Sequence, residues 1–201
     1  MKKIKMIGID HSKAGVAYRE LFSFTKASGT AAMEELKKEK GVNGCIILST
    51  CNRMELWVSA GEELDSSLYQ LLCRLKGVDP AFYEAYFIQR EGIEAVWHLF
   101  EMSCGLKSKI IGEDQIITQV KDALNLAREA FCTDKVLEML FRTAVTAGKR
   151  VKTDVKISHK DMSAIDGAVL ALKRIGISLE GKTCMVIGNG EMGRLPALAL
   201  E

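Results

Sequence analysis

Cys45-Ile46-Ile47-Leu48-Ser49-Thr50-Cys51-Asn52-Arg53-Met54-Glu55 is the stretch that sets the reading of the fold. Its first four residues form an unbroken apolar run, the mark of a strand covered on both faces. The polar residues after Leu48 place Cys51 where a central strand ends and the chain turns, and Glu55 to Ser59 reads as the next strand. Upstream, Lys3 to Ile9 alternates Ile4, Met6 and Gly8 with other residues, as a strand does. Between the two, Ser28 is placed to cap a helix that runs to about Lys40, with Ala31, Ala32 and Leu36 on its apolar side and Gly41 as its stop. Downstream, Leu68, Leu71, Leu72 and Leu75 fall at helical spacing before Gly77, and Ala85 to Gln89 reads as a last strand. Strand, helix, strand, strand, helix, strand is the split βαβ, or ferredoxin-like, pattern.

After Gly92 the period becomes helical throughout. Ile93, Val96, Trp97 and Phe100 make one stripe, and Ile116, Val120, Ala123, Leu124, Ala127 and Phe131 a second. Leu137, Leu140, Phe141, Ala144, Val145 and Val151 make a third, and Ile165, Ala168, Leu172 and Ile175 run along a last helix that Gly176 ends. These helices have to cover the sheet and one another. Thr183 to Ile187 then reads as a short strand leading into Gly188-Asn189-Gly190-Glu191-Met192-Gly193, the strand and glycine turn that open a dinucleotide-binding unit. The glycines let a pyrophosphate approach the backbone at a helix N-terminus. The second strand and the ribose-reading residue of such a unit do not follow, so the chain reads as truncated. The expected class is α/β in the α+β sense: a ferredoxin-like split βαβ sheet with an added helical subdomain (residues 1–156), a long linker helix (157–178), and the first strand and turn of a Rossmann domain (179–201).

Of 201 residues, 48% are apolar and 27% charged, enough to build a core and ordinary for a domain in water. The basic start, Met1-Lys2-Lys3-Ile4-Lys5, precedes an apolar run too short for a signal peptide and broken by Asp10-His11. A cytoplasmic protein with no membrane partner is expected. The net charge of +2 does not mark a nucleic-acid binder, so any RNA site must be a local patch. Lys149, Arg150, Lys152, Lys156 and Lys160 are the candidates, although such a run more often reads as a solvated helix end. Six cysteines with no C-x-x-C pair, beside only three histidines, argue against a metal site. Most of the cysteines read as small buried apolar groups.

Cys51 stands apart because its neighbours are polar and Arg53 is cationic; a nearby cation favours the thiolate, which is the nucleophile. Arg53 can grip a carboxylate bidentately, or it can simply pair with Glu55. Thr50 and Asn52 supply hydrogen-bonding groups in the same loop. By spacing alone, His98 sits on the polar edge of its helix, with Glu94 and Glu101 one turn away, and reads as a solvated surface histidine. Gln115 and Gln119 are one turn apart, opposite an apolar stripe, while Glu113 or Asp114 can cap the helix that starts near Gln115.

Thr50-Cys51-Asn52-Arg53-Met54-Glu55 resembles the signature of glutamyl-tRNA reductases. Further blocks are similar in the same order: Gly8-Ile9-Asp10-His11, Arg19-Glu20-Leu21, His98-Leu99-Phe100, Gly105-Leu106-Lys107-Ser108, Gly112-Glu113-Asp114-Gln115-Ile116 and Gly148-Lys149-Arg150-Val151. The turn Gly188 to Gly193 is similar too. The resemblance implies that Cys51 takes the glutamyl group from glutamyl-tRNA as a thioester and that NADPH reduces it to glutamate-1-semialdehyde, the first step of tetrapyrrole synthesis. It implies an activity-related role for His98 and a substrate pocket of Thr50, Asn52, Arg53, Ser108, Glu113, Asp114, Gln115 and Gln119. Gly188, Asn189, Gly190, Glu191, Met192 and Gly193 would hold NADPH, in a unit this chain does not complete. It further implies a homodimer formed through a C-terminal domain absent here, and glutamate-1-semialdehyde aminotransferase as a partner. Asp114 stands where the family usually has proline, Asp10 where it usually has asparagine, and Pro196 falls inside the helix expected after the glycine turn. A catalytically silent, tRNA-binding or regulatory relative is the alternative these departures raise.

Overall fold

The Cys45–Leu48 run lies within β2 (Val42–Ser49), which turns through three residues into β3 (Arg53–Ala60). The computed structural model describes residues 3–108, 111–112, 115–155, 171–185 and 187. β1 (Lys3–Asp10) lies antiparallel to β3, and the short β4 (Ile88–Glu91) antiparallel to β1, giving the order β2-β3-β1-β4. This is the expected split βαβ sheet. β3 is central and wholly buried; β2, read as a central strand, is an outer one. It is buried all the same because the Cys132 carbonyl accepts from the Cys45 N–H at 2.8 Å and closes part of its free edge.

On one face of the sheet lies α2 (Lys26–Leu36), whose Met33 carbonyl accepts from the Cys45 thiol at 3.4 Å. Its cap is Thr25, not Ser28. Thr25 and Ser28 exchange side-chain and backbone hydrogen bonds in a capping box. The helix stops at Leu36, short of Lys40, because Lys38 and Glu39 bond three residues back and tighten the last turn. Ala31 is exposed, and Met33 takes its place in the core. A short helix with no apolar stripe, α1 (Val16–Phe22), escaped the sequence reading; it buries only Phe22. α3 (Leu68–Lys76) ends at Gly77, in the left-handed conformation, where the leucine spacing predicts. The last strand begins later than expected because Tyr83 and Tyr86 pack on Phe22 and Tyr18, and Glu84–Tyr86 wind as a 3-10 turn.

The other face is covered by α4 (Gly92–Ser103) and α6 (Lys135–Val155), while α5 (Gln115–Glu129) packs along the outer strand β2 and meets helices of both faces. α5 and α6 bury most of the stripes expected of them, with Leu140 and Val151 half-buried and one residue left outside. Phe131 is 88% exposed and holds a positive φ just past α5, where the Cys132 N–H reaches back to the Ala127 carbonyl in a Schellman-type stop. α4 is turned away from its expected face. It buries Ala95, His98, Leu99 and Met102, whereas Ile93 and Trp97 are 67% and 65% exposed. A bond between His98 and β3, described below, fixes that rotation.

The chain divides into two compact units, residues 1–155 and 156–201. In the second, residues 171–174 are helical and Gly176 ends the turn at positive φ. Thr183 to Met185 and Ile187 are not strand, since a strand needs a ladder partner and none is present among the described residues. The rest of the expected linker helix and the turn Gly188 to Gly193 lie outside the described residues. Among the described residues no helix is long and apolar enough to cross a membrane.

Gly148 lets α6 lie against α4. A Cβ there would stand 2.4 Å from the Ser103 carbonyl oxygen, a backbone atom that cannot step aside. Gly148→Ala is expected to cost about 1–3 kcal/mol, read by calorimetry as a lowered Tm. An unchanged Tm would refute the close approach.

Candidate active site

Thr50, Cys51 and Asn52 are the whole connection between β2 and β3. Thr50 closes it: its N–H donates to the Arg53 carbonyl at 2.8 Å, and its Oγ1 accepts from the N–H groups of Asn52 and Arg53, both at 3.2 Å. The Asn52 carbonyl accepts from the His11 N–H at 3.0 Å, which ties this tip to the turn after β1. Asp10 stiffens that turn by accepting from the Ser12 N–H and hydroxyl. Cys51 is left exposed at the apex. Arg19, which sequence reasoning placed in a matching block but not in the site, reaches the same loop. Its Nη1 donates to the Ala14 carbonyl at 2.6 Å and its Nη2 to the Cys51 carbonyl at 3.5 Å.

The other cysteines of this unit are different. Burial pushes the Cys45 thiol up to about 12 and also raises Cys73, Cys104 and Cys132. A thiol held that high is protonated and inert at neutral pH.

Alternation along β3 turns Arg53, Glu55 and Trp57 toward α4 and α6. Glu55 gathers three donors: Arg53 Nη1 at 3.1 Å and His98 Nε2 at 2.9 Å on Oε1, and Trp57 Nε1 at 3.1 Å on Oε2. The Lys107 carbonyl accepts from Arg53 Nη2. Arg53 and Glu55 are each 2% exposed, and His98 is 4% exposed. The expected solvated histidine is therefore a core residue: the Glu55 carboxylate draws it inward, and its ring stacks on Trp57 at 6.1 Å. Burial alone would raise the Glu55 carboxyl. The hydrogen bond and charge of His98, together with the Arg53 guanidinium, outweigh that and hold it below its ordinary range. Gly8 makes room opposite, since a Cβ there would stand 2.8 Å from Glu55 Cγ.

The structure thus gathers Thr50, Cys51, Asn52, Arg53 and Glu55, with His98 behind Glu55 and Lys107 against Arg53. Ser108 follows Lys107, half-buried, with its Oγ buried and unpartnered. Glu113 and Asp114 lie outside the described residues. Gln115 opens α5 at the surface. Gln119 faces elsewhere: it lines a cavity of about 390 Å³ between the start of α2, the end of β2 and α5, together with Phe24, Lys26, Ser49 and Glu129. Lys149, Arg150 and Lys152 are exposed at the end of α6, where Arg150 pairs with Asp154; Lys156 and Lys160 lie outside the described residues.

Residues 7–155 match the family model of the glutamyl-tRNAGlu reductase N-terminal domain. The glutamyl-tRNA reductase of Acetivibrio thermocellus is 45% identical over 195 residues, covering 97% of this chain and 58% of that protein. That of Alkaliphilus oremlandii is 40% identical over 192 residues, covering 96% and 57%. The solved glutamyl-tRNA reductase from Methanopyrus kandleri superposes with a TM-score of 0.72 at 32% identity, covering 100% of this chain and 47% of that one. The chain therefore spans less than two thirds of the length of these relatives.

Two measurements check the geometry. Within residues 1–155 of the native chain, iodoacetamide at neutral pH is expected to label Cys51 well ahead of Cys45, Cys73 and Cys132; peptide mapping that finds equal labelling would contradict the burial described. Glu55→Gln leaves the Arg53 charge half-matched in the interior, at a cost of about 3–5 kcal/mol. Because the folded Glu55 pKa lies below its unfolded one, its contribution is present above the ordinary carboxyl value and lost as pH falls through the folded value. Denaturant melts between neutral pH and about pH 3 should show a steeper acid loss in the wild type than in Glu55→Gln, and parallel curves would count against the buried carboxylate.

Proposed function

From this chain's membership of the glutamyl-tRNA reductase family, we propose that its Cys51 thiolate captures the glutamyl group of glutamyl-tRNA as a thioester. The observation that carries this reading is an exposed thiol at the apex of a three-residue loop rooted on a buried arginine. Sulfur attacks the ester carbonyl carbon, a C–S bond forms, and the C–O bond to the tRNA breaks. The tRNA 3′ oxygen leaves and takes up a proton. The N–H groups of Thr50, Asn52 and Arg53 are spent within the loop, whereas that of Cys51 makes no hydrogen bond among the described residues. In this reading that amide meets the developing oxyanion.

Arg53 receives the side-chain carboxylate of the glutamyl group. Two of its five N–H donors are engaged, by Glu55 and by the Lys107 carbonyl. A bidentate ligand would displace Lys107 from Nη2 while Glu55 keeps the guanidinium in place. Glutamine, with a neutral amide, would leave the cation poorly matched. His98 acts in this reading as a positioning residue, through Glu55. Thr50 and Asn52 shape the loop, and Ser108 follows the Lys107 that meets Arg53; Gln115, with Glu113 and Asp114 outside the described residues, completes the substrate pocket in this reading.

In the whole protein this step feeds reduction to glutamate-1-semialdehyde, at the head of tetrapyrrole synthesis. NADPH, when bound, supplies the hydride; the residues assigned to it, Gly188 to Gly193, lie outside the described ones, and the residues described here bear on acyl capture. A cytoplasmic homodimer that passes its product to an aminotransferase belongs to the same reading.

Mixing this chain with glutamyl-tRNA should give a glutamyl adduct on Cys51, seen by mass spectrometry. Cys51→Ser should abolish it, and Arg53→Lys should slow capture by about ten- to a hundredfold. An adduct that survives Cys51→Ser sinks the proposal; tight tRNA binding with no adduct at all would favour the silent-relative reading.

A further inference from the structure

α4 carries apolar side chains almost all the way round, and a helix of that kind is ordinarily buried on every side. Here only one side is used. Ala95, His98, Leu99 and Met102 pack inward. The outer side carries Ile93, Val96, Trp97 and Phe100, at i, i+3, i+4 and i+7, the spacing with which one amphipathic helix meets another. Ile93 is 67% and Trp97 65% exposed, and Val96 and Phe100 are half-buried beside them. The bond from His98 to Glu55 sets the rotation of the helix without any need for this stripe.

We propose that the outer face of α4 docks a helix from a partner protein, one whose apolar stripe is flanked by lysine or arginine. The charge beside the stripe selects that chemistry. Glu94 and Glu101, at i and i+7, lie along the same flank, and α4 has no lysine or arginine to balance them. Lys107 reaches Glu101 at 3.4 Å, whereas the exposed Glu94 makes no ion pair among the described residues. A cationic flank on the incoming helix meets these carboxylates as the charged margins of paired helices meet each other.

The same flank disfavours two other occupants. A second copy packed antiparallel would set carboxylates against carboxylates. A membrane carrying anionic lipid would be repelled. The docked helix lies on the far side of α4 from His98, about one helix diameter, ~10 Å, from the Glu55 cluster. It takes no part in acyl capture, and the inference stands apart from the role given to Cys51.

The probes are two fluorescein-labelled synthetic helices with leucine at i, i+3, i+4 and i+7, one with lysine along a flank and the other with glutamate there. Anisotropy titrations use the wild-type chain, Trp97→Ser and Glu94→Lys, both changes at exposed positions, with thermal melts to check the fold. The lysine helix is expected to bind the wild type, to bind Trp97→Ser at least about tenfold more weakly, and to lose its advantage over the glutamate helix in Glu94→Lys. A lysine helix that does not bind, or that binds Trp97→Ser as well as the wild type, overturns the docking face. Equal binding of both helices to the wild type overturns the choice of a basic partner. Sedimentation of the chain alone that shows a dimer dissolved by Trp97→Ser gives the face to a second copy, and Trp97 emission shifted to the blue by anionic vesicles gives it to a membrane; either result overturns the partner helix.

Discussion

A carboxylate stripped of water has to be matched by donors at contact distance, and the Glu55 carboxylate is matched by three. The rest of the helical face follows from that requirement. Trp57 and Arg53 reach Glu55 from its own strand, which fixes their side chains against the sheet. His98 reaches it from α4, which fixes the rotation of that helix. Gly8 on the neighbouring strand can carry no side chain, because Glu55 fills the space. Such a network contributes little net stability, since desolvation cancels much of the attraction, but it allows only one arrangement of the groups that share it.

The same network governs the chemistry assigned to the loop above it. Arg53 belongs to both: it ends the Thr50–Asn52 turn through its backbone and enters the buried cluster through its side chain. A flexible loop carrying a cysteine would be only a reactive thiol. Bracing by Thr50, by His11 and by the backbone of an arginine fixed from below ties the Cys51 loop down at both ends.

Much of the sheet was legible in the sequence because its signals are local. The unbroken apolar run of β2, the leucine spacing of α3 and the glycine after it each point to one structure. α4 was misread for a reason that is physical rather than statistical. The rotation was assigned by the larger apolar side chains, Ile93 and Trp97, yet the face that packs includes a histidine whose partner is forty-three residues earlier. Nothing near His98 in the chain announces Glu55. In the same way, Arg53 was open to two readings because a guanidinium beside an exposed loop and one inside an ion pair have the same sequence. Phe131 was counted with a stripe whose helix had already ended, in a left-handed residue that glycine usually supplies.

The outer strand β2 has a further consequence. An eight-residue, largely apolar edge is the kind of template on which foreign strands assemble. Here the segment joining α5 to α6 lies on it, so closely that a Cβ on Gly44 would stand 2.7 Å from the Asp134 nitrogen. At the opposite margin, β4 has only four residues, two of them charged. Among the described residues, both margins of the sheet are thus partly covered or blunted, which disfavours polymerisation and peptide capture by strand addition.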